Sequence, residues 1–552
     1  MIKIFIPIVI ISLLAIYSCG NRFEPMKGKS VFRYNESSGI TSLDPAFARD
    51  QANIWACNQL FNGLIQLDEN LHVIPSIAKS WEILDDGTTY NFHLRQDIFF
   101  HNWSHFKNGK GRKVIASDFE YSIKRILNPK TLSPGAVWLN NIVKNDKGIY
   151  EVKALNDSTL TIKLESPFSP FLGRLSMPYF SAVPKEAVDF YGEDFGRNPV
   201  GTGPFYFKMM EDGVKLVMLK NKHYFEFDGR NRLPYLDAVA VSFIIDKQSV
   251  FLEFIKGNLD FMSGIDPSYK DELLQADGSL NPKYAKDLNM QSKPYLNTEY
   301  LGFQMDKAFI SKTSPLQIKA IRQAINYGFD RKKMIRYLRN NIGIAGENGF
   351  VPLGMPGFEN KKTKGYDFNP ELAKELLAKA GFPYGKNLPS ITLSTTSAYV
   401  DIAKFMQQQL GEIGMNIEID VHQPAALRQM IANCKIPLFR GSWIGDYADA
   451  ENYLSLFYSK NFCPNGANYT HYFNQVFDKL FEQARNSKGE SQRLDLYRQM
   501  DQLVTDEAPF VILYYDEVLR FSHKKVKNLG INSMNILNLK KVNIEEKRLV
   551  GD

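Results

Sequence analysis

Alternating apolar and polar residues predict β-hairpins in the first half of the chain. In residues 80–95, Tyr90, Phe92 and Leu94 alternate with polar residues after an Asp-Asp-Gly turn. A period of two residues is typical of a strand with one buried face, and Asp-Gly is a favoured hairpin turn. Residues 205–221 repeat the arrangement around a Glu-Asp-Gly turn. We therefore expect two antiparallel hairpins.

Helical spacing appears further along the chain, in residues 369–381. Asn369 is a good N-cap residue, and Pro370 suits the first helical position. Gly381 is predicted at the C-cap. The apolar positions fall on one side of the predicted helix: Leu372, Leu376 and Leu377.

A strand, a helix and a second strand follow, at residues 390–395, 399–414 and 416–422. A helical crossover between two strands makes them parallel, so this region is predicted to hold a βαβ unit. The chain is therefore predicted to be mixed α/β. Its 552 residues exceed what one hydrophobic core usually supports, so at least two lobes are expected.

The N-terminus has the composition of a targeting segment. Residues 4–17 form an apolar run after Lys3, and this run is too short to span a membrane comfortably. The Ser-Cys-Gly sequence around Cys19 resembles a bacterial lipoprotein processing site. We predict a signal peptide at residues 1–18, lipidation of the Cys19 sulfur and a polar tether at residues 19–29. The alternative is a secreted protein in which Cys19 is incidental.

Charge and cysteine content exclude some classes of protein. The net charge of +7 comes from 67 basic and 60 acidic residues without a dense basic block, so no nucleic-acid partner is expected. Cys57, Cys434 and Cys463 form neither a disulfide framework nor a C-x-x-C motif. A Cys434–Cys463 bridge and buried free thiols both remain open.

Motifs for catalysis and for cofactors are absent from the sequence. There is no P-loop, no H-E-x-x-H and no G-x-S-x-G. The segment that begins at Gly201 fails the G-x-G-x-x-G pattern at Tyr206, and a structural role is predicted for its glycines. His93, His101 and His105 lie close together, but without a paired cysteine or carboxylate pattern we interpret them as ordinary histidines. No cofactor and no metal are predicted.

Eight segments of the chain together carry a resemblance to a known family. They are SLDPA at 42–46, LFNGLIQLDEN at 60–70, IPSIAKSWEILDDGTTYNFHLRQDIFFHN at 74–102, ASDFEYSIKRILNP at 116–129, NPVGTGPFYF at 198–207, IRQAINYGFDRKKMI at 321–335, YDFNPELAKELLAKAGFP at 366–383 and GSWIGDYADAENYL at 441–454. In this order they resemble the solute-binding proteins of peptide-type ABC importers, the oligopeptide- and dipeptide-binding family. The resemblance extends from about Ser30 to Lys541.

The resemblance implies a class II periplasmic-binding-protein fold, a clamshell of two lobes with an extra insert domain. Lobe I would comprise residues 30–75, 195–295 and 510–545. The insert, residues 76–194, would pack on lobe I, and lobe II would comprise residues 296–509.

Ligand would bind between the lobes, and a hinge would close them. The closed protein would deliver a peptide to a membrane permease driven by a separate ATPase. The chain is thus expected to be no enzyme, to be monomeric and to work outside the cytoplasm on a lipid anchor.

Asp446 matches the family position whose carboxylate receives the α-ammonium of a bound peptide. A closed cleft removes water from that ammonium, which then needs a charge-assisted acceptor. The alternative is that Asp446 caps a helix that begins near Asp449.

The neighbours of Asp446 are further candidates for ligand contact. Trp443 matches a position that lines the cleft, although lobe packing is the alternative, and Tyr447 is on the other side of Asp446. Arg440 matches a basic site position, where it either pairs with a peptide carboxylate or holds Asp446 in place. The backbone of Gly441 and Ser442 is predicted to bond the peptide main chain.

The opposite wall of the cleft is predicted to include Asp50, Gln51 and Trp138, in segments that touch ligand in the family. The same fold could instead hold an oligosaccharide, a nickel chelate, haem or another small solute. A glycosidase pair of Asp446 with Asp449 or Glu451 is disfavoured, because that mechanism needs carboxylates on opposed faces of a sugar. A surface adhesin is the remaining alternative.

Overall fold

The computed structural model describes residues 28–84, 87–311, 313–487 and 489–545. The predicted signal peptide, Cys19 and most of the tether lie outside these residues. Within the described ranges, no helix is both long enough and apolar enough to cross a membrane.

The strands are, in chain order, β1 (Val31–Asn35), β2 (Ile65–Leu67), β3 (Val73–Pro75), β4 (Ala78–Ile83), β5 (Thr89–Leu94), β6 (Val152–Asn156), β7 (Thr159–Lys163), β8 (Phe205–Glu211), β9 (Lys215–Lys220), β10 (Phe227–Asp228), β11 (Asn231–Arg232), β12 (Ala238–Ser242), β13 (Phe261–Ser263), β14 (Leu288–Phe303), β15 (Ile344–Ala345), β16 (Ile391–Thr396), β17 (Ile417–His422), β18 (Leu438–Ile444), β19 (Phe510–His523), β20 (Val526–Lys527) and β21 (Asn543–Ile544).

The α-helices are, in chain order, α1 (Gln51–Leu60), α2 (Ala116–Leu127), α3 (Phe171–Leu175), α4 (Lys185–Tyr191), α5 (Lys247–Ile255), α6 (Lys270–Leu273), α7 (Pro282–Ala285), α8 (Lys319–Tyr327), α9 (Arg331–Leu338), α10 (Pro370–Lys379), α11 (Val400–Glu412), α12 (Pro424–Ala432), α13 (Glu451–Leu454), α14 (Gln475–Asn486) and α15 (Glu490–Glu507).

One large mixed sheet runs through both lobes of this α/β fold. Its strand order is β17-β16-β18-β14-β19-β13-β1-β12-β9-β8, and β15 pairs with β19. The strands β16, β17 and β18 belong to lobe II, whereas β1, β12, β9 and β8 belong to lobe I. The long antiparallel strands β14 and β19 connect the two sets.

The β14–β19 ladder is interrupted where the two lobes meet. Residues up to Pro294 pair with β19 residues from Glu517 onward, and pairing resumes at Thr298 opposite Tyr515. A break in register lets a pair of strands bend locally, which is what a hinge between lobes requires. The predicted lobe boundary at residue 296 falls inside this interruption, although the lobe ranges themselves stay a prediction.

Both predicted hairpins are present. β4 and β5 pair antiparallel and belong to a four-stranded sheet in the insert, with the order β4-β5-β7-β6. Tyr90, Phe92 and Leu94 are buried while their neighbours on β5 are half-buried, as the alternation predicted. β8 and β9 form the second hairpin.

The predicted helix and the βαβ unit are also confirmed, with one correction. Asn369 caps α10 by accepting the backbone N–H of Leu372, and Pro370 is the first helical residue. The C-cap, however, is Ala380, and Gly381 follows it with a positive φ of 92°. β16 and β17 run parallel on either side of α11 in the chain.

The glycines after residue 200 allow close backbone packing. A Cβ at Gly201 would lie 2.0 Å from the carbonyl oxygen of Leu60, and a Cβ at Gly203 would lie 2.4 Å from that of Gln59. Any side chain would therefore clash with the end of α1. The structural role predicted for these glycines is confirmed.

The hydrophobic core shared by lobe I and the insert includes one described residue of lobe II, Tyr447. Tyr447 is 1% exposed and packs in the same cluster as residues of lobe I and the insert, including Trp55 and Phe171. The lobes are therefore in contact, and the molecule is closed at this point.

Within lobe II, Cys434 and Cys463 form a disulfide bond with their sulfurs 2.06 Å apart.

Candidate ligand-binding site

A cavity of about 470 Å³ lies between the lobes. Lobe I contributes the start of α1 and Tyr295, the insert contributes Met177 and Tyr179, and lobe II contributes residues 444–446. Its volume falls within the range of ~300–1,000 Å³ that is common for small-molecule sites. The cavity can therefore enclose a ligand that touches both lobes.

Asp446 follows the end of β18 and lines this cavity. Its side chain is exposed, and the surface that it exposes faces the cavity. Desolvation by the surrounding protein raises the pKa of the Asp446 carboxyl to about 6, although a hydrogen bond from Asn452 and the charge of Arg174 partly oppose this. No cation among the described residues forms an ion pair with Asp446.

Asn452 fixes the local geometry around Asp446. Its side-chain amide donates to the Asp446 carboxylate at 3.2 Å, and its carbonyl oxygen accepts the backbone N–H of Asp446 at 3.2 Å. The same oxygen accepts the indole N–H of Trp443 at 2.9 Å. Asn452 is 1% exposed, so it is a fixed support that orients the carboxylate.

Asp50 and Gln51 line the opposite wall of the cavity, in lobe I. Asp50 is the N-cap of α1, and its carboxylate accepts the backbone N–H of Asn53 at 3.0 Å. Gln51 is the first residue of the helix, and it is exposed. The structure thus brings these two candidates and Asp446 to one cavity.

Gly441 and Ser442 lie on β18, which pairs with β14 through Tyr300 and Glu299. On its other side β18 pairs with β16 only at Phe439, so the described structure assigns no strand to that edge beyond this point. Backbone groups of Gly441 and Ser442 on that edge are free of strand pairing. Strand addition by an extended ligand stays a prediction for them.

Trp443 is half-buried and packs against the core of lobe II. The indole N–H of Trp443 donates to the side-chain oxygen of Asn452. The indole is not among the residues that line the cavity. This placement favours the packing alternative, in which Trp443 supports Asp446 through a shared partner.

Arg440 does not hold Asp446 in this structure, and its pairing with a peptide carboxylate stays a prediction. Its guanidinium pairs with the carboxylate of Glu299 on β14 and stacks over the ring of Tyr399 at 3.3 Å. In the described structure it forms neither a hydrogen bond nor an ion pair with Asp446, and it is not among the residues that line the cavity. The alternative in which it holds Asp446 in place is contradicted, because Glu299 on the neighbouring strand is its partner.

Tyr447 and Trp138 lie in the contact between the lobes rather than at the cavity. Their rings meet edge to face with centroids 5.8 Å apart. The guanidinium of Arg174, from α3 of the insert, lies 5.2 Å from the Tyr447 ring and donates to its hydroxyl at 3.2 Å. Because Tyr447 is almost fully buried by this contact, the structure gives it no face toward a ligand in the cavity.

Glu451 completes this interlobe contact. It is 3% exposed, accepts a hydrogen bond from the Tyr447 hydroxyl and lies 3.6 Å from the Arg174 guanidinium. Asp449 accepts the backbone N–H of Glu451 at 2.9 Å, where α13 begins. Asp449 and Glu451 were both interpreted as helix-start residues: Glu451 is the first residue of α13 and Asp449 precedes it by two positions. Glu451 also joins the lobes.

Four residues at or near the site were missed by the sequence analysis: Arg49, Tyr179, Asn452 and Arg174. Arg49 stands directly before Asp50 in a segment that was singled out, so its position was the available signal. Tyr179 and Arg174 are in the insert, where no motif distinguishes them. Tyr179 and Asp446 both line the cavity, and burial together with the charge of Asp446 raises the pKa of the Tyr179 hydroxyl.

The histidines of residues 93–105 have ordinary environments. His101 is buried and forms a hydrogen bond with the carbonyl oxygen of Gly203 at 3.0 Å. Burial lowers the pKa of its ring to about 4.

Elsewhere, the side chains of Cys434, Cys463 and His471 lie close enough together for their ligand atoms to reach one metal ion. The two sulfurs are joined in the disulfide, so they are not free thiolates.

The two lobes and the enclosed cavity define the class of protein as a binding protein of the clamshell type. The structure resembles a periplasmic binding protein DppA from Helicobacter pylori in complex with the peptide STSA. The TM-score is 0.75 at 25% identity, over 94% of this chain and 99% of that one. The predicted fold class is confirmed.

The sequence comparisons give the family. The profile of the bacterial extracellular solute-binding proteins, family 5, matches residues 72–463, and the chain belongs to this family. It is 26% identical to the dipeptide-binding protein of Escherichia coli over 88% of this chain and 89% of that protein. It is 27% identical to heme-binding protein A of Haemophilus influenzae over 87% and 86%. Members of this family are solute-binding proteins, not enzymes.

Proposed function

We propose that this protein binds short peptides between its lobes and delivers them to the permease of an ABC importer. Asp446 carries the proposal: it is a carboxylate that faces the cavity, is desolvated by the protein and has no cation among the described residues as its ion-pair partner. A ligand ammonium would supply the missing charge. Charge-assisted hydrogen bonds of this kind are about twice as strong as neutral ones.

The relatives support a peptide as the ligand but allow other solutes. The Escherichia coli relative is named for dipeptides, and the Helicobacter pylori structure holds a tetrapeptide. The Haemophilus influenzae relative is named for haem. Haem has no ammonium group, so a haem ligand would leave Asp446 without a counter-charge.

The delivery role includes a lipid anchor at Cys19. The apolar run and the Ser-Cys-Gly sequence support processing before Cys19. Such an anchor would hold the soluble body at the membrane, beside the permease and its ATPase. Intact mass measurement of protein from the membrane fraction, compared with a Cys19→Ser variant, checks the modification: the native protein should carry lipid mass and the variant should not.

Native mass spectrometry of the protein purified from cells tests the ligand class. We expect the closed protein to carry a set of small adducts that fragment as peptides. Adducts that fragment as sugars, haem or a nickel complex would refute the peptide proposal. The control is protein that has been unfolded, washed and refolded, which should lose the adducts and regain them when a peptide mixture is added.

A further inference from the structure

Cys434, Cys463 and His471 converge at a second place in lobe II, and none of them lines the cavity. Cys434 comes two residues after α12, while Cys463 and His471 lie in the segment that leads to α14. All three are buried, and their sulfur and nitrogen ligand atoms lie within 4.8 Å of one another. The Nε2 atom of His471 is 3.3 Å from the Cys434 sulfur. Chemically, the three side chains are two sulfurs and one imidazole around a common point.

The spacing of this cluster fits a zinc-type ion once the disulfide is reduced. Zinc binds cysteine sulfur at about 2.3 Å and histidine nitrogen at about 2.0–2.1 Å, so a tetrahedral site places a sulfur and a nitrogen about 3.5 Å apart. The separation between Cys434 and His471 is close to this value. Thiolate and imidazole ligands also suit zinc better than magnesium or calcium, which prefer oxygen ligands.

Asp306 orients His471 from outside the cluster. Its carboxylate lies 3.1 Å from Nδ1 of the imidazole, and the same carboxylate accepts the backbone N–H of Ala308 at 2.8 Å. Phe462 stacks on the imidazole with centroids 4.5 Å apart, and Phe309 meets it edge to face at 4.9 Å. Histidines that bind metals usually donate their second ring N–H to a carboxylate, a carbonyl or water. His471 is therefore already held with Nε2 toward the sulfurs.

In the disulfide form, a hydrogen occupies the position on His471 that a metal would take. Nε2 lies 2.8 Å from the carbonyl oxygen of Cys463, and a hydrogen bond at this contact needs a hydrogen on Nε2. Nδ1 faces the Asp306 carboxylate, so a ring with a hydrogen on each nitrogen donates to both acceptors. A metal ion at Nε2 would replace one of these hydrogens and leave the other to Asp306.

We propose that the reduced form of this cluster is a zinc-type metal site, in which the ion replaces the disulfide as the link between Cys434 and Cys463. A dithiol reductant transfers two electrons and two protons to the sulfurs and is itself oxidised to a disulfide. The ion then binds both thiolates and Nε2 of His471. The two thiol protons and the Nε2 hydrogen are released to solvent, while the Nδ1 hydrogen stays with Asp306.

The link between the cysteines matters to the cleft because of the chain that it encloses. Cys434 and Cys463 are 29 residues apart, and β18, Asp446 and α13 lie between them. A link across such a loop restricts the unfolded chain and thereby stabilises the folded segment. A bound ion would keep this segment stapled under conditions that reduce the disulfide. This role does not depend on which solute the cavity holds.

Titration of the reduced full-length protein with Co²⁺, in the absence of oxygen, tests the site. A phosphine reduces the disulfide and is removed by desalting, and Zn²⁺ then competes for the bound position. Charge-transfer absorption from thiolate to cobalt reports sulfur ligands. Cys434→Ser removes one thiolate, His471→Gln removes the imidazole but keeps both cysteines, and Asp306→Asn removes the orienting carboxylate. Cys57→Ser is the matched control, because Cys57 is a buried free thiol on α1.

The reduced native protein and Cys57→Ser should each bind one Co²⁺ with the charge-transfer band, and Zn²⁺ should displace it and raise the melting temperature. Asp306→Asn should bind Co²⁺ about 10- to 100-fold more weakly, the range for outer partners of metal ligands. His471→Gln should bind it more weakly still, and Cys434→Ser should lose at least half of the band.

Absence of the charge-transfer band in the reduced native protein would overturn the proposal. Equal Co²⁺ affinity of the native protein and His471→Gln would also overturn it, since the thiolates alone would then explain binding. Metal that binds without raising the melting temperature would be bound to unfolded chain, with the same consequence. If reduction alone unfolds the protein, Zn²⁺ should restore its far-UV circular dichroism, and failure to restore it would contradict the proposal.

Discussion

Two carboxylates only five residues apart, Asp446 and Glu451, have opposite surroundings. Glu451 is buried against Arg174 at 3.6 Å and Arg485 at 4.0 Å, and it accepts a hydrogen bond from Tyr447. Asp446 faces the cavity, and among the described residues Asn452 is the one side chain that donates a hydrogen bond to its carboxylate. Within the described residues, Glu451 has two cations as ion-pair partners, whereas Asp446 has none.

The difference shows how one short segment can serve both the closed fold and the ligand. A charge removed from water needs a partner of opposite sign, or it shifts its pKa and is neutralised. Glu451 has its partners from the insert and from α14, so it stabilises the contact between the lobes. Asp446 has its pKa raised to about 6, which indicates a site that a cationic ligand group would complete.

Replacement of Glu451 should cause the largest loss of stability. Glu451→Gln leaves Arg174 buried without its carboxylate, and breaking a buried pair costs about 3–5 kcal/mol. Asp446→Asn removes a desolvated, unpaired charge, so the ligand-free protein should be equally stable or more stable. Thermal and urea unfolding of ligand-stripped proteins checks both variants. A lower stability of Asp446→Asn than of Glu451→Gln would contradict the comparison.

Ligand affinity should depend on pH through Asp446. An ammonium stabilises the carboxylate, so a proton and the ligand compete for it, and binding is full above the free-protein pKa of about 6. Below this value the affinity should fall about tenfold per pH unit. Calorimetry between pH 4.5 and 7.5 with a peptide that has a free N-terminus measures this slope.

The slope should vanish in Asp446→Asn and persist in Glu451→Gln. Asp501 serves as a check on the assignment, since burial also raises its pKa to about 6, but it bonds Thr363 away from the cavity. Titration of Asp501 affects the stability of the protein at acid pH. It does not affect the difference in the pH slope of affinity between Asp446→Asn and Glu451→Gln. A slope retained in Asp446→Asn would place the titrating group elsewhere.

The smallest effect is expected at Asn452, which orients Asp446 without carrying charge. Asn452→Ala removes the hydrogen bond that the amide donates to the Asp446 carboxylate and the acceptor of the Asp446 backbone N–H, so affinity should fall about 3- to 10-fold. The pH slope should remain, because the carboxylate is still present. Loss of the slope together with the affinity would show that Asn452 does more than position Asp446.

Much of the fold was predictable because its signals are local. The alternation of Tyr90, Phe92 and Leu94 gave the strand, and Asn369 with Pro370 gave the start of α10. Each of these patterns depends on residues within one element. The exact helix end was less certain, because Ala380 takes the cap position and Gly381 follows it.

The site was only partly predictable because its partners are distant in sequence. Asp446 was selected through its match to a family position, and it lines the cavity; its role toward a ligand stays a prediction. Arg440 is paired with a residue 141 positions away, and Tyr447 with one 273 positions away. No local pattern reports such contacts, so the partners of these two side chains were visible only in the folded structure.

The most direct test of the account compares Asp446→Asn with the native protein, using one peptide with a free N-terminus and the same peptide N-acetylated. Acetylation removes the ammonium, so it should weaken binding to the native protein by about 30-fold or more, the scale for truncating one partner of a buried charge pair. In Asp446→Asn the two peptides should bind almost equally. Equal losses for both peptides on substitution of Asp446 would contradict the claim that this carboxylate holds the ligand's ammonium.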